Sequence, residues 1–272
     1  MSDASHITSY EHGGNVHAAA DRRNVTVDEL LDFSANINPM GAPEWLRACV
    51  SRELDSILHY PDPTAEALRR KAAERYQVAA ERVLVANGST ELLYHLPTVL
   101  QCRRALIPVP CYVDYLKVME IADIPAHLLP LAPGKAFQPD ADEIDANLRP
   151  GDLLIVGSPN NPTGCVFPAE KIRQLAAAHP QVMFVVDEAF LEFVPGAVSV
   201  AGGADNIITL HSLTKFYAIP GLRLGFGVFP EDIAARLKRL LPPWSVNSLA
   251  QKVGERAIVD DTYQQESRAF CA

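Results

Sequence analysis

Lys215 lies within the stretch HSLTKFYAIPGLRLG, which covers residues 211–225 and contains no acidic residue. Hydroxyl-bearing side chains precede the lysine, and an apolar sequence that indicates a buried segment follows it. Burial disfavours the charged form of an amine and lowers its pKa. An uncharged lysine amine can attack an aldehyde and hold it covalently. We therefore take Lys215 as a candidate nucleophile for carbonyl chemistry.

Asp187 ends the apolar run in the stretch VVDEAF. An ionised carboxylate is costly to remove from water unless a cation lies opposite it. Asp187 is therefore a candidate partner for a cationic group of a ligand. A helix cap or an internal salt bridge is the alternative explanation.

Three further loops follow predicted strands and carry polar residues. In LVANGSTEL, Gly88 permits a tight turn, and Ser89 and Thr90 open a helix whose free amides suit an anion, although a simple capped turn has the same pattern. Tyr112 in PCYVDY offers a flat ring at the sheet edge, where a lone aromatic is often part of the core or its rim. The stretch GSPNNPTG places Asn161 among more turn-forming residues than a plain β-turn needs.

The elements that must position these residues are short apolar runs alternating with amphipathic stretches. The runs predict strands over residues 83–85, 105–109, 153–156, 182–186, 207–210 and 224–229. Helical patterns cover residues 64–76, 169–178 and 231–241. This alternation predicts an α/β fold with a mostly parallel sheet and helices on both faces. Ligands of such sheets bind beyond the carboxyl ends of the strands, which is where the five polar loops lie.

Composition narrows the class of partner. The 272 residues carry a formal net charge of −9, and the basic residues are scattered, which argues against nucleic-acid binding. The five cysteines have no metal-like spacing, which favours free thiols in a reducing compartment and gives no candidate metal site. No apolar run approaches the length of a membrane span, and the polar amino terminus does not resemble a secretory signal. We expect a cytoplasmic protein with a small-molecule ligand.

Taken in chain order, the five loops resemble those of the fold type I family of pyridoxal 5′-phosphate enzymes. They supply an anion-binding helix start, an aromatic ring, an asparagine, a buried aspartate and a lysine. The resemblance extends from Tyr60 to Arg223. It implies that Lys215 binds the cofactor aldehyde and that Asp187 pairs with the pyridine nitrogen. By the same resemblance, Asn161 hydrogen-bonds the ring oxygen of the cofactor.

The resemblance also implies a phosphate site and a shared active site. Tyr112 is similar to the residue that stacks on the cofactor ring, and Tyr60 in HYPDP is similar to a tyrosine that reaches the phosphate in the neighbouring subunit. A homodimer is therefore expected. The residues expected around the phosphate are Gly88, Ser89, Thr90, Ser212, Thr214 and Arg223, the last of which supplies a full positive charge.

Two subfamilies share these motifs. Histidinol-phosphate aminotransferases resemble the chain in YPDP, NPTG and the lysine segment, but they usually carry a tyrosine where this chain has Phe190. The stretches HGGN and LDFSANINPMG move the resemblance toward the threonine-phosphate decarboxylases of cobalamin biosynthesis, which convert O-phospho-L-threonine into (R)-1-aminopropan-2-yl phosphate. That resemblance implies substrate contacts by His12, Gly13, Asn36 and Asn161.

The expected organisation has three parts. Residues 1–60 are expected to be an extended segment, residues 61–245 the large cofactor-binding domain, and residues 246–272 the start of a connection to a truncated small domain. Fold type I enzymes carry substrate-binding arginines in that small domain, and the chain stops at Ala272. Three functions therefore stay open: the decarboxylase, a histidinol-phosphate-type aminotransferase, and a catalytically incomplete fragment that only binds the cofactor.

Overall fold

The structure, a computed structural model, describes residues 12–271. Its contacts divide the chain into two compact units, with the boundary between Ile37 and Asn38. Each unit is described by itself below.

The described part of the first unit is partly helical, whereas we predicted an extended segment over residues 1–60. Helix α1, Val16–Arg23, begins after Asn15, whose side-chain oxygen accepts a hydrogen bond from the Ala18 amide at 3.1 Å. It ends at Asn24, which adopts a left-handed conformation with φ of 53°. This capping outweighs the turn-forming composition that suggested an extended chain.

The second unit contains the sheet, whose seven strands have the spatial order β1-β7-β6-β5-β4-β2-β3. Strand β7 runs antiparallel to both β1 and β6, and the other neighbouring pairs are parallel. The strands are β1 (Val83–Ala86), β2 (Arg104–Val109), β3 (Ala126–Pro130), β4 (Asp152–Gly157), β5 (Met183–Asp187), β6 (Ile207–Ser212) and β7 (Gly225–Val228). The prediction of an α/β fold with a mostly parallel sheet is confirmed.

Ten further α-helices lie in the second unit within the described range. They are α2 (Leu46–Arg52), α3 (Glu66–Tyr76), α4 (Ser89–Val99), α5 (Val113–Ile121), α6 (Ala141–Asn147), α7 (Ala169–Ala178), α8 (Leu213–Phe216), α9 (Glu231–Lys238), α10 (Ser248–Ala257) and α11 (Asp261–Cys271). One short 3₁₀ segment, Val27–Glu29, lies in the first unit. The second unit contains the 3₁₀ segments Leu54–Leu58, Ala80–Arg82, Pro133–Lys135, Leu191–Phe193 and Pro220–Leu222. Across residues 12–271, no helix combines the length and the apolar character needed to cross a membrane.

The apolar strands are buried because helices cover both faces of the sheet. On one face, Val185 of β5 and Ile208 of β6 pack with apolar residues of α4, α5 and α9. On the other face, side chains such as Phe184 and Val186 pack with α6 and α7, and Phe226 packs with α3 and α10. The two cores hold the strand ends in a fixed order, which determines where the polar loops lie.

Candidate active site

The carboxyl ends of five strands bring the predicted site residues to one edge of the sheet. Asp187, the last residue of β5, is aligned with Gly157 of β4 on one side and with Leu210 of β6 on the other. The loops that carry Asn161 and Lys215 therefore begin at the same level of the sheet as this carboxylate.

Lys215 lies in the short helix α8, directly after β6, and is partly buried. Burial lowers the pKa of its amine, and the positive charge of Arg223 lowers it further. The negative charge of Asp187 acts in the opposite direction. The amine is thus displaced toward its uncharged form, in the direction expected from the sequence, and it lies within electrostatic reach of both residues.

Asp187 is held from two sides. The hydroxyl of Tyr115 donates to Oδ2 at 2.8 Å, and the backbone amide of Ala189 donates to Oδ1 at 3.0 Å. Burial raises the pKa of this carboxyl, and the two hydrogen bonds and the charge of Lys215 offset part of that effect. A carboxylate that is both oriented and poorly solvated suits a cationic partner.

A cup formed by Gly88 and the guanidinium group of Arg223 lies where α4 begins. Gly88 precedes the helix with φ of 89° and, as a glycine, makes no side-chain hydrogen bond to the first turn. A Cβ atom at this position would lie 2.8 Å from Nη2 of Arg223, so the guanidinium group packs against the helix start. Free amides at a helix start and a guanidinium group both favour a bound phosphate.

Two hydroxyl-bearing residues lie together on the lysine side of the sheet edge. Ser212 ends β6, and its Oγ lies 2.8 Å from Oγ1 of Thr214 in α8. On the other side of the sheet edge, Thr90 forms a side-chain hydrogen bond with Tyr112. The structure therefore brings together Arg223 with Gly88, Ser212 with Thr214, and Thr90 with Tyr112.

Tyr112 is the residue before α5, and its ring is partly buried at the sheet edge. Its hydroxyl donates to Oδ2 of Asp114 at 2.7 Å, and its ring packs edge to face against Tyr115 at 5.6 Å between centroids. Burial raises the pKa of the phenol, with further increases from Asp114. The ring is thus neutral and fixed in orientation.

The two asparagines of GSPNNPTG have different surroundings. Asn160 is buried, and its side-chain amide donates to the carbonyl oxygen of Pro110 at 3.0 Å and to Oγ1 of Thr163 at 2.9 Å. These bonds tie the loop after β4 to the loop after β2. Asn161 is partly exposed beside it. Asn160 thus maintains the shape of the loop that presents Asn161.

Tyr60 is 80% exposed, and its ring stacks on Trp244 with 4.6 Å between centroids. Three large apolar residues of the neighbouring 3₁₀ segment are also exposed, namely Leu54, Ile57 and Leu58. We call these five residues the exposed apolar patch.

The predicted substrate residues of the amino terminus lie in the first unit. Gly13 packs so closely on the SANINP stretch that a Cβ atom there would lie 1.7 Å from the carbonyl oxygen of Ser34. The amide of Gly14 also donates to Oγ of Ser34 at 2.7 Å. The unit therefore brings the HGGN motif, with His12, next to the stretch that carries Asn36.

Sequence reasoning missed four polar residues around the site. Tyr115 follows Tyr112 by one helical turn, and that spacing was the available signal. Asn38 lies in the segment expected to be extended, and nothing in its sequence context indicates that it is buried. Glu188 and His211 are both buried, with His211 Nε2 3.7 Å from Glu188 Oε2, and a glutamate beside a strand-end aspartate gives no sign of burial.

Glu188 makes the stability of the protein dependent on pH. Burial raises its pKa from 4.5 to about 7, although the Ser199 hydroxyl and the Val200 amide donate to it. Burial lowers the pKa of the neighbouring His211 to about 3, so this histidine stays neutral. A carboxyl whose pKa is raised on folding stabilises the protein below pH 4.5 and loses that contribution as pH rises through 7.

We expect Glu188→Gln to remove this loss. Between pH 4.5 and pH 8, the free energy of unfolding of the parent should fall relative to the variant by up to about 3 kcal/mol. Urea unfolding at a series of pH values measures the difference, with Glu266→Gln on the exposed face of α11 as the matched control. A variant whose stability changes with pH as steeply as that of the parent would contradict the assignment.

Comparison with known proteins identifies the family. Residues 28–270 match the family described as aminotransferase class I and II. The chain is 38% identical over 261 residues to threonine-phosphate decarboxylase of Salmonella typhimurium, covering 93% of this chain and 71% of that protein. It is 35% identical over 263 residues to the adenosylcobalamin biosynthesis bifunctional protein CobDQ of Leptospira interrogans, covering 95% of this chain and 30% of that protein.

Two solved structures have folds similar to that of this chain. L-threonine-O-3-phosphate decarboxylase of Porphyromonas gingivalis has a TM-score of 0.76 at 26% identity, covering 86% of this chain and 70% of that one. Histidinol-phosphate aminotransferase of Clostridium acetobutylicum has a TM-score of 0.80 at 28% identity, covering 88% and 73%. The chain belongs to the class I and II aminotransferase family and is a pyridoxal 5′-phosphate protein.

The residues at the sheet edge fit this cofactor. The oriented carboxylate of Asp187 suits a protonated pyridine nitrogen, and the partly buried amine of Lys215 suits the aldehyde. The helix start at Gly88 with the guanidinium group of Arg223 suits the phosphate. Within residues 12–271, no group of three or more His, Cys, Asp or Glu residues is arranged to hold a metal ion.

Proposed function

We propose that the chain catalyses the pyridoxal 5′-phosphate-dependent decarboxylation of O-phospho-L-threonine to (R)-1-aminopropan-2-yl phosphate in cobalamin biosynthesis. The observation that carries the proposal is the 38% identity to the Salmonella decarboxylase. Histidinol-phosphate aminotransferases of Carboxydothermus hydrogenoformans and Nostoc are 29% and 32% identical. The chain spans only 30% of the Leptospira relative, so the activity of this chain is part of the proposal.

Four residues hold the aldehyde and the ring of the cofactor in this proposal. Lys215 binds its aldehyde, Asp187 keeps the ring nitrogen protonated, Asn161 donates to the ring oxygen, and Tyr112 stacks on the ring. When bound, the cofactor accepts the electron pair that is released as the bond between Cα and the carboxylate breaks. The residues proposed to bind the phosphate are Gly88, Ser89, Thr90, Ser212, Thr214 and Arg223, with Tyr60 from the neighbouring subunit.

Lys215 has a second task once the substrate amine has displaced it. Loss of carbon dioxide leaves the bonding electron pair on the Cα side, and a proton must then be added at Cα to form the product amine. The Nζ atom of Lys215, freed when the substrate amine takes its place, would be the group that delivers this proton to Cα. Its lowered pKa supports the role, because an amine that titrates closer to neutrality exchanges its proton more readily.

Binding geometry selects between decarboxylation and transamination. The bond that lies perpendicular to the cofactor ring is the one that breaks, and a decarboxylase must present the carboxylate there. We propose that His12, Gly13, Asn36 and Asn161 hold the substrate in this orientation, with the first three directed to its phosphate. The HGGN motif beside the SANINP stretch supports the proposal, since the Gly13 backbone approaches Ser34 without an intervening side chain.

Product analysis decides among the three candidate functions. The purified chain is loaded with pyridoxal 5′-phosphate and given O-phospho-L-threonine, and we expect carbon dioxide and 1-aminopropan-2-yl phosphate without any 2-oxo acid. Activity with histidinol phosphate that depends on 2-oxoglutarate would instead establish the aminotransferase. Cofactor binding without either product would establish a fragment that only binds the cofactor.

Substitution in the amino-terminal segment should change substrate selection. We expect His12→Ala and Asn36→Ala each to lower kcat/KM for O-phospho-L-threonine by about 10-fold to 100-fold, because each removes a hydrogen bond to a charged phosphate. Activity with L-threonine should change little, since it has no phosphate. If the preference for the phosphorylated substrate is unchanged in both variants, the segment does not contact the phosphate.

The exposed apolar patch is proposed as part of a homodimer interface that carries Tyr60 to the neighbouring site. We expect Leu58→Asp to weaken self-association by about 30-fold or more, because it places a charge in an apolar interface. Sedimentation equilibrium measures the dissociation constant. Val198→Asp is the matched control, because Val198 is also an exposed apolar residue, at 63%, but lies outside the patch. Equal self-association of the Leu58→Asp variant and the parent would rule out the interface.

The free thiols support a reducing location for the protein. Cys49, Cys102, Cys111, Cys165 and Cys271 are all unpaired. We propose that the protein works in the cytoplasm, where thiols are kept reduced.

A further inference from the structure

The turn that carries Lys215 is too short to hold itself in place. Helix α8 contains only the four residues Leu213–Phe216. A single helical turn is unstable alone, because several backbone angles are fixed for very few internal hydrogen bonds. The last carbonyl groups of a helix also need partners from outside it. The position of Lys215 therefore depends on groups elsewhere in the chain.

Asn38 supplies two of those partners, beside the Ala218 amide, which donates to the carbonyl oxygen of Lys215 at 3.4 Å. Its backbone amide donates to the carbonyl oxygen of Lys215 at 3.1 Å, and its Nδ2 donates to the carbonyl oxygen of Phe216 at 2.8 Å. Both contacts lie at the end of α8, one at the lysine and one at the next residue. Asn38 is thus bonded to the backbone of the candidate nucleophile by its main chain and its side chain.

The side chain of Asn38 is itself fixed by its surroundings. It is 3% exposed, and its Oδ1 accepts a hydrogen bond from the Met40 amide at 3.0 Å. Its Nδ2 also contacts the hydroxyl groups of Tyr263, at 3.0 Å, and of Ser267, both on α11. These bonds use both the Nδ2 donor and the Oδ1 acceptor of the amide. An aspartate has no such donor, which explains why this position holds an asparagine.

Tyr263 extends the same network. Its hydroxyl lies 2.7 Å from the carbonyl oxygen of Gly41 and 3.0 Å from that of Phe216. The turn after Asn38, the lysine turn and α11 therefore meet at one buried polar cluster. A buried cluster whose members are all hydrogen-bonded is rigid, and loss of one member leaves the others without partners.

We infer that Asn38 is a positioning residue for Lys215, which sets the distance of its amine from the cofactor aldehyde through the backbone of α8. This inference rests on the proposed role of Lys215. In this inference, Asn38 contacts neither the cofactor nor the substrate. Loss of its side-chain donor should weaken the covalent bond to the cofactor while leaving recognition of the ring and phosphate intact.

The test compares two probes on the apo protein. Pyridoxal 5′-phosphate binds through its ring, its phosphate and Lys215, whereas 4′-deoxypyridoxine 5′-phosphate has no aldehyde and cannot react with the lysine. We expect Asn38→Asp, which keeps the shape but replaces the donor by an acceptor, to weaken binding of pyridoxal 5′-phosphate by about tenfold. Binding of the deoxy analogue should change by less than about twofold, within the scatter of ordinary surface changes.

Asn206 offers a matched control. It is also buried, and its Nδ2 donates to the carbonyl oxygens of Ala176, His179 and Val182 at 2.9, 3.1 and 3.0 Å, before β6 begins. Asn206→Asp should destabilise the apo protein to urea as Asn38→Asp does, but change the affinity for the two probes equally. If Asn38→Asp changes the affinity for the two probes equally, the inference is overturned, because equal changes indicate a general loss of structure.

A milder variant covers the case in which Asn38→Asp does not fold. Ser267→Ala removes one partner of Asn38 and leaves the bond to Phe216, so we expect a selective loss of about threefold for pyridoxal 5′-phosphate. No selective loss would again overturn the inference. Lys215→Ala separates this inference from the proposed function, because it should abolish the difference between the probes. If the parent itself does not distinguish the probes, the role of Lys215 is wrong.

Discussion

Lys215→Ala should abolish the covalent bond to the cofactor and lower the decarboxylation rate by about 10³-fold or more. Two effects combine in this change, because the variant loses both roles proposed for Lys215, as the attachment point of the aldehyde and as the amine that returns a proton to Cα. The fold should be retained, since the replacement removes a partly buried amine whose solvation is already poor. We expect the free energy of unfolding of the apo protein to be unchanged or slightly higher.

Borohydride reduction followed by peptide mapping measures the first effect. In the parent, the reduced cofactor should be found on Lys215, and the absorption of the loaded protein should extend into the visible range. Lys171→Ala, on the exposed face of α7, is the control and should behave as the parent. Recovery of the label on Lys117, Lys135 or Lys171 in the parent would refute the assignment.

Asp187→Asn should lower the rate by about 10² to 10³-fold while leaving the cofactor bound to Lys215. In the proposed function the carboxylate keeps the ring nitrogen protonated, and an amide of the same shape cannot do so. The cofactor is still attached, because the aldehyde and the phosphate are held by other residues. Absorbance of the loaded protein measures attachment, and the rate of product formation measures the loss. Parental activity in this variant would exclude the proposed pairing.

Tyr115→Phe provides a graded comparison at the same carboxylate. The Tyr115 hydroxyl donates to Asp187 at 2.8 Å and lowers its pKa. Without this donor, the pKa of Asp187 should rise, so that the acid limb of the pH–rate profile moves to higher pH. We expect a rate loss of about tenfold at neutral pH, smaller than in Asp187→Asn. A loss without any shift of the acid limb would indicate that Tyr115 acts only by packing.

Apolar periodicity predicted the strands that are buried on both faces. The runs that begin at Val83, Ala105, Leu153, Val182, Ile207 and Leu224 correspond to the six strands other than β3. Strand β3 was missed because only Leu129 of its five residues is buried. An edge strand whose side chains face solvent lacks the apolar run that marks the others. Helix α1 was missed because its cap and its short length leave little periodicity to detect.

The candidate site was predictable where a residue's type and its place after a strand carried the signal. Lys215, Asp187 and the loop of Asn161 lie at one sheet edge, as the sequence predicted. The contacts of their supporting residues were not predictable, because Asn38 and Tyr115 bond to residues far away in the sequence, although the spacing of Tyr115 from Tyr112 did place it on the same side of a helix. Such contacts depend on the packing of the folded chain, which no local pattern records.

We expect the pairing of β7 with β1 to determine when the protein becomes able to bind its cofactor during synthesis. Gly225 is aligned with Ala86 of β1, and a Cβ atom on it would lie 2.3 Å from the backbone nitrogen of Ser89. The cup proposed to bind the phosphate is thus closed by a pairing between two distant parts of the chain, and such long-range pairings are slow to form. A ribosome-bound chain that has not yet exposed β7 lacks this cup. Cofactor binding would then favour the finished topology over partly assembled intermediates, because a ligand stabilises only the state that it binds.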